Sequence, residues 1–73
     1  MTNTQHTAEP MLTPGETREA RTPDGGTVKI YSVANGAFTH VRLTRPDGSL
    51  AMAHSYRFET TALVDFAAMK RGE

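Results

Sequence analysis

With 73 residues, no cysteine, and eight basic residues balanced by eight acidic ones, the chain has room for one small domain and none for disulfides or cysteine-based zinc sites. Domains of this size bury only about 60% of the surface their unfolded chain exposes, so oligomerisation is the remaining common source of added stability. A net charge of zero gives no global reason to expect a polyanionic partner. No apolar run reaches membrane-spanning length and the amino terminus lacks a basic-then-apolar secretory signature, so a cytoplasmic protein that does not touch a membrane is expected.

Residues 1–14, MTNTQHTAEPMLTP, are rich in Thr, Asn, Gln and Pro. So little apolar surface does not offset the entropy of ordering the segment, and a flexible N-terminal tail is expected, with Met11 and Leu12 as its apolar anchor. Residues 15–73 then make up a single domain. Residues 16–22 read as a short strand whose charge protects a sheet edge. The link that follows, Thr22-Pro23-Asp24-Gly25-Gly26, places Pro and Asp at the centre of a type I turn and Gly at the left-handed position after it, which gives a three-residue loop. That loop sets Ala20 opposite Val28 and Glu19 opposite Lys29.

Two strands, at residues 27–34 and 37–45, flank Asn35-Gly36, the pair best able to hold the two left-handed positions of a type I′ hairpin. With those two residues as the loop, Ser32 faces Thr39, Tyr31 faces His40, Ile30 faces Val41, Lys29 faces Arg42 and Val28 faces Leu43. Alternation then puts Val28, Ile30, Val41 and Leu43 on a core face, and Lys29, Tyr31, Val33, Phe38, His40 and Arg42 on the other.

Arg45-Pro46-Asp47-Gly48-Ser49 repeats the first loop's chemistry and leads into a fourth strand at residues 49–58. A regular register sets Leu43 against Ala51, Val41 against Ala53, His40 against His54 and Phe38 against Tyr56, so Leu50, Met52, His54 and Tyr56 join the second face. The alanines leave room on the core face that a covering element must fill. Residues 59–71, ETTALVDFAAMKR, suit a helix. Thr60 or Thr61 is the expected N-cap, Lys70 and Arg71 suit the negative end of the dipole, and Gly72 suits the C′ position. Ala62, Leu63, Phe66, Ala67 and Met69 form its apolar stripe, with Val64 at the margin.

The expected fold class is therefore α+β: a four-stranded antiparallel β-meander with one C-terminal α-helix packed on one face. This order of elements is similar to that of dimeric single-strand-binding transcriptional coactivators, a likeness of plan that no shared motif accompanies.

No nucleophile stands beside a base and an orienting acid, no loop cradles phosphate and no carboxylates are paired, so neither enzyme activity nor a cofactor is expected. His40 opposite His54 is the one arrangement to weigh as a metal site, but two imidazoles fall short of the usual three or four ligands and no metal is assigned. The expected binding residues are Lys29, Tyr31, Val33, Phe38, His40, Arg42, Met52, His54 and Tyr56, an aromatic and basic face of the kind that marks an interaction surface. Three uses compete for it: cover by Met11 and Leu12 of the tail, binding of protein, or stacking of single-stranded nucleic acid.

Residues 27–58 carry Lys29, Arg42, Arg45 and Arg57 against Asp47 alone, enough to engage only a few phosphates. Protein binding comes first, as a homodimer or as a regulator or inhibitor of an unidentified partner, with single-stranded nucleic acid as the alternative. Small cysteine-free chains of this kind look like stand-alone regulators, including those carried by phages and mobile elements.

Overall fold

In a computed structural model, which describes residues 10–32 and 37–73, both Pro-Asp-Gly loops form as their residues dictate. Gly25 and Gly48 adopt φ of 94° and 92°, the left-handed conformation that a residue without Cβ takes at little cost. In each loop the Asp carboxylate accepts the backbone N–H two residues on, Asp24 from Gly26 at 3.1 Å and Asp47 from Ser49 at 2.9 Å. Thr22 Oγ1 donates a further short hydrogen bond to Asp24, and Ser49 Oγ donates to Asp47 at 2.7 Å. These bonds hold both carboxyls below the ordinary aspartate range.

The loops join β1 (Thr17–Arg21) to β2 (Thr27–Ser32) and β3 (Thr39–Thr44) to β4 (Leu50–Tyr56), and α1 (Glu59–Lys70) follows. The strands make one antiparallel sheet in the order β1-β2-β3-β4. Asn35-Gly36 and Val33 lie outside the described residues, but β2 and β3 keep the expected register, with Val28 opposite Leu43, Ile30 opposite Val41 and Tyr31 opposite His40. β1 likewise sets Ala20 against Val28 and Glu19 against Lys29.

The core lies between this sheet and α1. Val28, Ile30 and Val41 are buried beneath Ala62, Leu63 and Phe66 of the helix, with Leu12, Ala20, Leu43, Met52, Tyr56 and Met69 packed around them. Apolar area removed from water in this layer is the main source of the fold's stability. The helix lies chiefly over β2 and β3 rather than over the alanine-bearing end of the sheet.

Its start also differs from expectation. Phe58, extended at φ −114° and ψ 127°, is the N-cap residue and offers no side-chain cap. Only Arg57 and Phe58 separate β4 from the helix, so the chain must turn at once and Thr60 and Thr61 already lie in the first turn. Glu59 supplies the favourable negative charge there, and its carboxylate accepts the Leu12 N–H at 2.8 Å. The other end closes as a Schellman motif, Gly72 N–H donating to Met69 O at 2.9 Å and Glu73 N–H to Ala68 O at 3.0 Å.

The largest departure is in the last hairpin. Thr44 pairs with Leu50, but Leu43 pairs with Met52, Arg42 with Ala53, Val41 with His54, His40 with Ser55 and Thr39 with Tyr56. Ala51 is an extra residue, a β-bulge, and a shift of one residue carries every later side chain of β4 to the opposite face.

Candidate interaction surface

α1 covers one face of the sheet, and among the described residues no element covers the other. Across it run three rows set by the strand registers: Arg21, Thr27, Thr44 and Leu50; Glu19, Lys29, Arg42 and Ala53; Thr17, Tyr31, His40 and Ser55. Phe38, just before β3 and on the alternation of His40 and Arg42, is 43% exposed, and Leu50 is 47% exposed. Of the expected binding residues, Lys29, Tyr31, His40 and Arg42 are brought together here beside Phe38. Val33 lies outside the described residues.

Met52, His54 and Tyr56 are not part of this face. The bulge turns them to the helix side, where Met52 and Tyr56 pack against the core. Tyr56 Oη donates to Asp65 Oδ2 on α1 at 2.6 Å, and the His54 ring sits 6.0 Å from that of Tyr56. Burial and the Asp65 carboxylate push the Tyr56 phenol up from 10.0 to about 12, so it is a fixed hydrogen-bond donor. The His40–His54 pair is absent for the same reason, since the two histidines occupy opposite faces and His40 Nδ1 instead shares a hydrogen bond of 2.9 Å with Ser55 Oγ. No cluster of three or more metal-ligating side chains occurs among the described residues.

What the open face offers is aromatic surface beside positive charge. The Tyr31 and His40 rings stack across the strands with centroids 5.2 Å apart and planes inclined by 30°. In the adjacent row Lys29 stands directly opposite Arg42, a like-charge pairing that is unfavourable in isolation. Glu19 flanks Lys29 on the far side, yet among the described residues neither Lys29 nor Arg42 forms an ion pair. A shallow depression of about 300 Å³ opens over this row, lined by Glu19, Thr27, Lys29, Arg42, Thr44 and Leu50.

Leu12 does not cover the face. It packs on the helix side, and Arg18 Nη1 and Nη2 hold the Pro10 and Met11 carbonyls at 2.6 and 3.0 Å. Sequence reasoning missed Ala53 and Ser55 as members of the open face. The signal that marks them is their small size, which lets the larger Met52 and Tyr56 take the buried positions.

Fold and surface together define the class: a small α+β domain with a one-sided helix layer and an aromatic and basic sheet face that no described element covers. The chain matches no family model, no curated protein and no solved structure, so its own residues carry the functional reading. Among the described residues no helix is long and apolar enough to cross a membrane.

Proposed function

We propose that the protein is a non-enzymatic interaction module that occupies the surface of a partner protein through its open sheet face. The observation that carries this reading is the Lys29–Arg42 pair, two opposed cations that form no ion pair among the described residues, beside the Tyr31–His40 stack. A partner presenting a carboxylate flanked by apolar side chains relieves the first and covers the second, and Tyr and Arg are the types that dominate interface centres. A chain of this size with one such face acts by occlusion, as a regulator or inhibitor does.

The same stack supports a second reading, in which bases of a single strand lie on Tyr31 and Phe38 while Lys29 and Arg42 follow its backbone. Two cations in the row make few phosphate contacts, which places this reading second.

Affinity capture from a lysate of the native host, run in parallel with wild type, Tyr31→Ala and Arg42→Glu, tests the proposal. A protein retained by wild type and lost from both variants supports it, and equal retention by all three refutes it. Oligonucleotide binding that weakens with salt and disappears in Tyr31→Ala transfers the face to the second reading.

A further inference from the structure

The two edges of the sheet are not alike. β1 carries Arg18, Glu19 and Arg21 within five residues, the charge pattern that discourages strand pairing. β4 has seven residues, LAMAHSY, with neither a charge nor a proline. Its Ala53, His54 and Ser55 are exposed in succession, since α1 lies chiefly over β2 and β3 and touches β4 less. At the loop end Arg45 Nη1 donates to the Leu50 carbonyl at 3.0 Å. Further along the backbone groups alternate in direction, and among the described residues no strand and no side chain takes the outward ones, those of Ala53 and Ser55.

We infer that this edge pairs with the β4 of a second copy, antiparallel about a two-fold axis near residues 53–55, to give a continuous eight-stranded sheet. Each outward N–H and C=O then finds a partner, which an edge strand otherwise leaves to water. Two copies of β4 set no like charges against each other, whereas two copies of β1 centred on Glu19 would oppose that carboxylate to its own symmetry mate. Joining β4 to β1 of the next copy would propagate without closing, while the two-fold pairing uses one edge of each chain and stops. Centred on residue 54, the pairing joins residues 52–56 of the two copies over about 17 Å, a modest contact that implies a reversible dimer. Both helices fall on one side of the joined sheet and both open faces on the other, so the dimer presents the Lys29, Tyr31, His40 and Arg42 surface twice. This pairing does not depend on what the open face binds.

Sedimentation velocity over a concentration series, with backbone amide exchange on the wild type, tests it. The wild type shifts from monomer to dimer as concentration rises, and the outward amides of Ala53 and Ser55 exchange roughly tenfold more slowly in the dimer. Ala53→Lys and Ser55→Lys, both at exposed positions, keep the far-ultraviolet spectrum and remain monomeric where wild type is dimeric, while Tyr31→Ala still dimerises. A wild type that stays monomeric up to millimolar concentration overturns the inference. So does a dimer that leaves the exchange of Ala53 and Ser55 unchanged, or one that is lost in Tyr31→Ala yet retained in folded lysine variants. If a lysine variant fails to fold, the wild-type exchange pattern decides alone. A monomer whose capture of a partner is lost in Tyr31→Ala removes this dimer and leaves the open-face reading standing.

Discussion

Leu43 stands opposite Met52, although the neighbouring Thr44 stands opposite Leu50, so Ala51 has no cross-strand partner of its own. One inserted residue therefore decides which half of β4 faces the helix. It brings Met52 and Tyr56 to the core, leaves Ala53 and Ser55 on the open face, and sets the Tyr56 hydroxyl against Asp65. The bulge is a structural device in its own right, since a regular hairpin would bury two alanines and expose a methionine and a tyrosine.

Deleting Ala51 removes the bulge without changing any partner, since Thr44 still faces Leu50 and Leu43 still faces Met52. Met52, Tyr56 and the Asp65 hydrogen bond therefore stay on the helix side, and the expected cost is small, less than about 1 kcal/mol. Urea unfolding should keep a cooperative transition with a midpoint close to that of the wild type, and loss of that transition would mean that the bulge itself is needed to fit the end of β4 under the helix.

Tyr56 makes stability fall at alkaline pH. Its phenol ionises at about 12 in the folded chain against 10.0 ordinarily, through burial first and then the Asp65 hydrogen bond and charge. A pKa raised on folding favours the protonated folded state, so the contribution is complete below pH 10 and disappears as pH climbs to about 12. Tyrosinate absorbance in a Tyr31→Phe background, which leaves Tyr56 as the sole phenol, should titrate near the upper value. Asp65→Asn should move the midpoint down toward the ordinary one and cost about 1 kcal/mol at neutral pH. A midpoint at the ordinary value in the unsubstituted Asp65 protein would disprove the contact.

The first two hairpins were legible in the sequence because turn chemistry and side-chain alternation point to the same register. Pro23-Asp24-Gly25 sets Ala20 against Val28, and any slip would place Glu19 or Arg21 among aliphatics. In the last hairpin the two signals conflict. Pro46-Asp47-Gly48 fixes Thr44 against Leu50, yet continuing that register puts Ala51 and Ala53 beneath the helix, and the unfilled room there was itself the sign of a bulge. Burial of Met52 and Tyr56 outweighs one unpaired residue, so packing overrides the regular ladder. The helix start escaped for a related reason, because the position where β4 ends, rather than the capping preference of Thr60 and Thr61, fixes the first turn.

Two adjacent glycines of the first loop should respond differently to substitution. Gly25 is left-handed at φ +94°, and a Cβ there would meet only Pro46 at an ordinary 3.9 Å. Gly26 is not left-handed, but a Cβ would run into the Thr44 carbonyl oxygen and approach Thr22 Oγ1 at 3.0 Å. Gly25→Asn, which tolerates the left-handed region, should cost less than about 1 kcal/mol. Gly26→Ala forces backbone to move and should cost about 2 kcal/mol or more. Paired thermal melts settle the order, and equal melting temperatures would show that the loop has slack at Gly26.

Acid should release the segment before β1 ahead of the core. The Glu16 carboxylate accepts from Arg18 Nε at 2.7 Å and from the Thr13 N–H at 2.8 Å, and these bonds hold its pKa at about 2 against an ordinary 4.5. A depressed carboxylate pKa stabilises the folded arrangement above pH 4.5 and loses that effect as pH falls toward about 2. Because Arg18 also holds the Pro10 and Met11 carbonyls, protonating Glu16 loosens the guanidinium that positions this stretch, and Leu12 loses its seat beside α1. Amide exchange at Leu12 and Thr13 should therefore accelerate across that pH window while Ile30 and Val41, buried in the sheet, stay protected. Glu16→Gln should show the fast exchange already at neutral pH. If Leu12 and Ile30 instead lose protection together, the segment belongs to the same cooperative unit as the core and the separate acid transition does not exist.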